Sequence, residues 1–585
     1  MKLTHLRSAV FAVIVSTLLF SVRAAAQAPL EPAQMPSRTL FYLTWRGTPA
    51  ADARKANSLL ALWDDPDFAP VRSAMFENMM SATEKDASKQ KLSREEVEKY
   101  SALLDNALVI GYISKPEAKM TASAVPPKPA EHPWNGAFLV YNRTGKEKLL
   151  SEAVLRFRSQ EKEPPQLSQI TLAGVPVLKV ERKTDTTYWV EHGKYAASAS
   201  ERSVLEEILP ALEGKTLSAV SLAQSKAYQE AQPMLGGGLI EFFARMPNLK
   251  TFAPDTNPSG VQIAPILDAM KLDAVHSLCG RVIFDGAKTR VQAALLGDTA
   301  SGTLFDLWGP GQQSPASLSL LSPSAISYSE TQFNLAAFYE MLKHAITAAL
   351  PPGQQGTVAM MEGLGQNRLG MPISDGLGLL SGDFASMQTS PALDPLKAVY
   401  VLGIRKKPET LKLIRTIFSD QVGPERNEGD VTYLKISLGG GQGNAGVVQY
   451  NFYHLAVTPD FLIGAGRAET LHEFLAARSP GSAAANLAAT AKFQAARAAY
   501  PEKLDGLNYF DFQKVDWLAL KTRWVEEAKK LSEKQSAAGS PKAVPAKVPN
   551  LLNDANPQVF PRHLHFMAGA SWKDAKGIHF DQWLD

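Results

Sequence analysis

Three histidines near the C-terminus are the residues of this chain best suited in number to metal chemistry. His563 and His565 are separated by one residue, so on a strand both imidazoles would lie on one face. His579 falls on the second strand of the same predicted hairpin. Three imidazoles match the ligand number of a catalytic Zn²⁺. No carboxylate or cysteine is tightly spaced with them, so a metal-dependent or other hydrolase using these histidines is an alternative prediction.

Two arginines and three aromatic residues are candidates for binding. Arg143 and Arg405 each follow the first strand of a repeated pattern, at the turn into a helix, where a guanidinium can bind an anion. Tyr450 and Phe452 share one face of a predicted strand, and Trp189 lies on the corresponding strand of the first half. An exposed aromatic face indicates a binding surface, whereas a covered one belongs to the core. The sequence leaves both alternatives open.

The other short motifs do not form a catalytic constellation. Residues 441–446 match G-x-G-x-x-G, but residues 447–453 have a strand pattern where a dinucleotide site needs a helix. We therefore interpret these glycines as a hairpin loop. No G-x-S-x-G, H-E-x-x-H, P-loop or EF-hand sequence occurs, and no cofactor is predicted.

The N-terminus predicts export. Lys2 and Arg7 precede an apolar stretch at residues 9–22, and three alanines at 24–26 provide the small side chains that a signal peptidase requires. The stretch is shorter than the roughly 20 residues of a spanning helix, although a retained anchor remains the alternative. We predict a signal peptide at residues 1–26 and a mature chain in the periplasm or outside the cell, without a transmembrane span.

Charge and cysteine content narrow the class of protein. The chain has 585 residues, 45% of them hydrophobic, and a net charge of +3 from 61 Lys and Arg against 58 Asp and Glu. Three of the basic residues lie in the predicted signal, so the remainder is neutral and gives no electrostatic reason to expect nucleic acid as a partner. The single cysteine, Cys279, has no partner within the chain, and its apolar neighbours predict a small buried residue on a strand.

The order of predicted elements occurs twice along the chain. Each half has a strand, a helix, three strands and a second helix, and each ends in a hairpin. The matching segments are 137–141 with 398–402, 175–198 with 431–465, 222–228 with 487–493, and 275–296 with 564–583. This correspondence predicts an internal duplication.

The predicted fold class is α+β, with two tandem homologous repeats. Each repeat is a mostly antiparallel sheet with helices on one face, built from a β-α-β-β-β-α core and a closing hairpin. The repeats are placed at residues 37–300 and 318–585, joined by a Gly/Pro/Ser-rich linker at 301–317. Polar, Pro-rich stretches at 114–133 and 535–550 are predicted to be a mobile loop and a linker-like insertion.

The layout resembles an uncharacterised domain-of-unknown-function family of exported bacterial proteins. Such proteins begin, after the signal, with a proline and an apolar strand, here residues 36–43. A helix with a Leu-Leu-x-Asp/Gly element then leads into a strand, here at residues 103–108 and 379–384. The resemblance implies an exported bacterial α+β protein of unknown role and transfers no catalytic residue.

Taken together, these patterns favour an exported, non-catalytic cell-envelope protein that binds a protein or small-ligand partner. Two alternatives stay open beside it. One is the histidine-based hydrolase, and the other is a carrier of a lipid or other apolar molecule, which needs an apolar cavity between sheet and helices.

Overall fold

A computed structural model describes most of the chain between residues 30 and 585. The described residues are 30–75, 94–114, 134–159, 164–183, 185–215, 220–246, 263–300, 304–309, 311, 316–437, 452–476, 486–537 and 556–585. The predicted signal, the glycine motif at 441–446, Tyr450 and most of the stretches 114–133 and 535–550 lie outside them. In the part that is described, no helix combines the length and apolar content needed to cross a membrane.

The chain divides into two compact units. Unit 1 holds the described residues within 30–65, 72–246 and 275–297, and unit 2 holds those within 66–71, 263–274 and 298–585. This division is close to the predicted halves, but it assigns two segments of the first half to unit 2. It also differs at the predicted linker, because Phe305 within it is fully buried in unit 2.

Unit 1 is built on an antiparallel sheet with the order β4-β5-β6-β7-β3-β2-β1-β8-β9-β10. Its described strands are β1 Thr39–Trp45, β2 Leu108–Ser114, β3 Trp134–Asn142, β4 Gln166–Leu172, β5 Val175–Glu181, β6 Thr186–His192, β7 Tyr195–Ala199, β8 Ile240–Arg245, β9 Val275–Asp285 and β10 Lys288–Gly297. Its described helices are α1 Ala51–Ala56, α2 Ser58–Asp64, α3 Arg94–Ser101, α4 Glu147–Ser159, α5 Arg202–Leu212 and α6 Lys226–Ala231.

Helices cover both faces of the unit 1 sheet, which corrects the prediction of helices on one face. Neighbouring strand residues point to opposite faces. Tyr42 belongs to an apolar cluster that includes Leu205 of α5, whereas the next residue, Leu43, belongs to a cluster that includes Leu150 of α4. Because both faces are apolar, each needs a helix layer to exclude water. Cys279 on β9 is fully buried, as predicted.

Unit 2 has an antiparallel sheet with the order β14-β15-β16-β17-β13-β12-β11-β18-β19-β20. Its described strands are β11 Ser327–Gln332, β12 Leu380–Gln388, β13 Ala398–Ile404, β14 Arg426–Glu428, β15 Val431–Ser437, β16 Phe452–Val457, β17 Phe461–Ala465, β18 Gly506–Asp511, β19 Phe566–Asp574 and β20 Gly577–Leu584. Its described helices are α7 Ile263–Ala269, α8 Leu335–Ala349, α9 Gly356–Leu369, α10 Ile373–Gly378, α11 Lys407–Phe418, α12 Ala468–Ala476, α13 Ala491–Arg497, α14 Trp517–Ala537 and α15 Val559–His563.

The unit 2 sheet is also covered on both faces. Val401 belongs to the cluster that contains Leu471 of α12 and Phe493 of α13. Ile404, three residues further along β13, belongs to the cluster that contains Ile414 of α11. The α+β class and the antiparallel sheets are therefore as predicted, and the helix layers are more extensive than predicted. The predicted β-α-β-β-β-α core is wrong by one strand, since four strands separate the two helices in each unit, β4 to β7 in unit 1 and β14 to β17 in unit 2.

Candidate functional site

A cavity of about 380 Å³ lies in unit 2 at one end of the strands of its sheet. It is lined where β11, β13 and β19 end and where β12 begins. The start of helix α8 and the end of α10 complete the wall. The lining residues are Asp306, Trp308, Gly309, Gln332, Phe333, Asn334, Leu335, Ala336, Leu377, Gly378, Leu380, Ser381, Gly382, Arg405 and Lys573.

A bulge and a helix cap shape this cavity. The pairing of β12 with β13 is irregular between Leu380 and Phe384, and such a bulge re-aims side chains at a sheet edge. Within it, Gly382 has φ +94°, and a Cβ there would lie 2.5 Å from the carbonyl oxygen of Phe333. Only glycine fits this approach. Opposite the bulge, Asn334 caps α8 by accepting a hydrogen bond from the Ala337 amide at 3.1 Å.

Two cations face the cavity in different states. Lys573 Nζ donates to the carbonyl oxygens of Phe305 at 3.1 Å and Trp308 at 3.4 Å. Arg405 is held by its backbone, since its amide donates to the Leu379 carbonyl at 2.8 Å. Its exposed guanidinium, in contrast, forms no hydrogen bond or ion pair with any other described residue. Arg405 is thus the lining cation whose side chain has no bond to another described residue.

A hydrogen-bonded set of polar side chains supports the opposite part of the wall. Ser381 Oγ donates to Asp383 Oδ2 at 2.6 Å, and Gln332 Nε2 donates to Asp383 Oδ1 at 3.3 Å. These bonds orient two lining side chains through a carboxylate.

A buried carboxyl group neighbours this site. Asp505 is 2% exposed, directly precedes β18, and accepts the Gln332 amide proton on its backbone oxygen at 2.6 Å. Burial raises the pKa of its carboxyl group to about 6, although the amide and ammonium of Lys573 and the amide of Gly311 oppose that rise. Neither carboxylate oxygen makes a well-aligned hydrogen bond within the described chain.

A second buried acid lies on β11. Glu330 accepts hydrogen bonds from Ser317 Oγ and the Tyr328 hydroxyl, and burial raises the pKa of Glu330. Gln332 is two residues further along the same strand, so all three β11 side chains share a face. Sequence reasoning missed this group and the cavity. The available signal was the alternation of Tyr328, Glu330 and Gln332 along a strand whose start at residue 326 is apolar.

Arg143, the predicted partner of Arg405, is already engaged within unit 1. Its Nε and Nη2 donate to the Gly193 carbonyl oxygen at 3.1 and 3.0 Å, and Nη1 pairs with Glu191. Arg143 directly follows Asn142, the last β3 residue paired with β7. Arg405 lies two residues beyond the last β13 residue paired with β17, Gly403. The two arginines are therefore offset by one residue, and in extended chain such an offset reverses the side-chain direction.

Of the aromatic candidates, Trp189 shares a carboxylate partner, Glu191, with Arg143. Trp189 is half-buried on β6, packs against the unit 1 cluster of Leu43 and Tyr141, and lies 3.4 Å from Glu191 through its indole nitrogen. Phe452 begins β16 and pairs with Ser437. Tyr450 lies outside the described residues. The aromatic face therefore stays a prediction for Tyr450 and Phe452.

The histidines are not gathered as the metal prediction requires. His563 ends helix α15 and His565 precedes β19, so the two do not share a strand. His579 on β20 pairs with Trp572, seven residues along from His565, or about 23 Å at the rise of a strand. His579 stacks on that tryptophan and lies 3.1 Å from Asp574.

Over the whole described chain, no group of three or more His, Cys, Asp or Glu side chains is placed to hold a metal ion. The three-histidine site is therefore wrong as predicted. The reason is the register of the closing hairpin, which separates His565 from His579, and the helical turn that takes His563 off the strand.

Comparison with known proteins identifies no family for this chain. No protein-family profile matches it, and no curated protein is similar to it. Among solved structures, the chain is similar to one described as the structure of crystal form I of TP0453, with 9% sequence identity and a TM-score of 0.20. The match covers 46% of this chain and 81% of that one. A likeness this weak carries no argument about fold or function.

Proposed function

We propose that this chain is an exported, non-catalytic cell-envelope protein that binds a small ligand in the unit 2 cavity. The observation that carries the proposal is the cavity itself, about 380 Å³ in volume, with Arg405 on its wall and no partner for that guanidinium among the described residues. Its volume lies at the small end of the range for ligand pockets, and its lining combines apolar side chains with polar and charged ones. The basic and apolar pattern of residues 1–26 supports export.

Mass spectrometry of small molecules that co-purify with the full chain tests the proposal. Ala336 is exposed at the start of α8 and lines the cavity, so Ala336→Trp fills the space without disturbing the core. Ala359→Trp, at an exposed position of α9 outside the lining, is the matched control. We expect a stoichiometric small molecule with the native chain and the control, and its loss with Ala336→Trp. Equal retention by both variants would contradict the assignment of this cavity.

A carrier of an apolar molecule is the second candidate. It is supported by the apolar part of the lining, which consists of Trp308, Phe333, Leu335, Leu377 and Leu380. Mass spectrometry of the same co-purified small molecules distinguishes the two candidate functions, because a carrier of this kind would release a neutral apolar compound with no acidic group.

We also propose that the two units arose by duplication. The identical strand order of the two sheets supports this origin. Export itself is tested by N-terminal sequencing of the protein from a cell-envelope fraction, where a mature chain starting at Gln27 is expected. A chain that retains Met1 in the cytoplasmic fraction would contradict export.

A further inference from the structure

We infer that the ligand of the unit 2 cavity is a compact carboxylate with an apolar body, bound through an ion pair with Arg405. This inference rests on the proposed function and adds the chemical class of the ligand. It follows from which charges at the cavity are already satisfied, which surfaces are apolar, and how much space there is.

The charges at the cavity favour one negative charge on the ligand. The ammonium of Lys573 is bonded to two carbonyl oxygens and lies within electrostatic reach of the Asp505 carboxyl group. Asp383, just outside the lining, is bonded to Ser381 and Gln332. Asp306, the lining carboxylate, is also engaged in interactions.

Arg405 therefore remains as the charged lining side chain without a described partner. A guanidinium matches the two oxygens of a carboxylate in bidentate geometry. A phosphate dianion would bring a second negative charge to a wall that already carries the Asp306 carboxylate, and Lys573, the other lining cation in the described part of the chain, is bonded to two carbonyl oxygens. The site thus favours a monoanion over a dianion.

The apolar wall defines the rest of the ligand. Trp308 and Phe333 line the cavity close to the end of β11, and Leu335, Leu377 and Leu380 add aliphatic surface. Burying apolar ligand surface against such a wall stabilises the complex, because that surface is removed from water. A simple inorganic anion would leave these apolar side chains exposed to water, whereas an aryl or short alkyl group attached to the carboxylate would cover them.

Titration calorimetry with matched probe pairs tests this class of ligand. The probes are 4-phenylbutyrate and its neutral amide 4-phenylbutanamide, which differ in charge and hardly in shape, together with the dianion phenyl phosphate. The full-length chain, freed of co-purified material by dialysis, should bind the carboxylate about tenfold more tightly than the amide or phenyl phosphate. Arg405→Gln should remove that preference. Arg368→Gln, at an exposed arginine of α9 away from the cavity, should retain it.

The outcomes separate this inference from the proposed function. Equal binding of carboxylate and amide, or an unchanged preference in Arg405→Gln, would overturn the carboxylate assignment while the cavity remains a binding site. Tighter binding of phenyl phosphate than of 4-phenylbutyrate would overturn the preference for a monoanion. If Ala336→Trp leaves carboxylate binding unchanged, or if no probe binds at millimolar concentration, both the inference and the cavity assignment fail.

Discussion

The corresponding strand ends of the two units differ in the side chains they carry and in the bonds that those side chains form. In unit 1, Arg46 directly follows β1, and its amide donates to the Leu239 carbonyl at 2.9 Å. In unit 2, the backbone amide of Gln332 donates to the backbone carbonyl of Asp505, which lies next to β18 at the same register position. Arg46 is ion-paired with Glu241 at 3.6 Å, whereas Gln332 is neutral and lines a cavity.

The basic side chains at a second pair of strand ends differ in the same way, since those in unit 1 are bonded whereas Arg405 in unit 2 has no partner among the described residues. In unit 1, Lys146 Nζ is 2.7 Å from Asp105 Oδ2, and Arg143 is bonded to the turn at Gly193. In unit 2, the equivalent strand end carries Arg405, offset by one residue and without a described partner. One strand order therefore carries ion-paired side chains at these strand ends in unit 1 and cavity-lining side chains in unit 2. The lesson is that function depends on edge residues that the topology does not specify.

The largest expected effect is a loss of stability in core variants of the two units. It tests whether the two cores are packed equally well although the strand ends differ. Leu205 on α5 and Leu471 on α12 are 0% and 1% exposed, each in the helix that follows the matching strand, β7 or β17. Leu205→Ala and Leu471→Ala should each lower the free energy of unfolding by about 3 kcal/mol, because each leaves a cavity in a packed core. Urea unfolding followed by circular dichroism measures this.

Leu155→Ala on α4 is the control for these core variants, since Leu155 is 64% exposed and should change stability by less than about 0.5 kcal/mol. A loss below about 1 kcal/mol at only one of the buried leucines would show that the two cores are not equivalent in packing.

The next effect concerns Asp505, a carboxyl group at the position that Leu239 occupies in unit 1. Burial raises its pKa from 3.8 to about 6, so the folded state binds more protons than the unfolded state between these values. The contribution of Asp505 to stability is therefore most favourable below its unfolded pKa and is lost as the pH rises through its folded pKa. Asp505→Asn cannot ionise at this position, so the variant does not lose stability in this way as the pH rises.

The free energy of unfolding of Asp505→Asn relative to the native chain should rise by about 2 kcal/mol between about pH 4 and about pH 7. Urea unfolding at several pH values measures this difference, and taking the difference cancels other titrating groups such as Glu330. A flat or falling difference across this range would show that Asp505 is better compensated by Lys573 than the structure indicates.

The two arginines provide the third test. Arg143→Gln should cost about 1 kcal/mol of stability, since it removes a half-buried ion pair with Glu191 and hydrogen bonds to Gly193. Arg405→Gln should cost less than about 0.5 kcal/mol, because its guanidinium has no described partner to lose. Thermal unfolding of both variants measures the contrast, and the reverse order of effects would contradict it.

The smallest expected effect is at Cys279. It pairs with Phe243 in the sheet of unit 1 as Ala568 pairs with Tyr509 in unit 2. Burial raises the pKa of its thiol to about 12, which removes the reactive thiolate. Iodoacetamide near pH 8 should therefore leave native Cys279 unmodified and should label it fully in urea, as read by mass spectrometry. Rapid labelling of the native chain would show that the core of unit 1 opens.

Much of the architecture could be predicted from sequence because it depends on local periodicity. The closing hairpin predicted at residues 275–296 is β9 and β10, and the one predicted at 564–583 is β19 and β20. Alternating apolar residues and turn signals predict such strands directly. The helix layers on both faces were missed because a pattern in one strand does not show what packs against it.

The candidate site depended on contacts that no local pattern contains. Arg405 was found as a residue type at a turn, but whether a guanidinium is free or bonded depends on the register of strands far apart in the chain. The three histidines show the same limit, since their spacing matched a metal site and the hairpin register separated them.

The sequence alone determined the α+β class, the two closing hairpins and the buried state of Cys279, because burial of periodic apolar residues is encoded residue by residue. Only the tertiary structure decided that Arg143 is bonded while Arg405 has no partner among the described residues, and that the strand ends of unit 2 line a cavity. These properties arise from pairing register and from packing between distant segments, where a shift of one residue changes which face a side chain occupies.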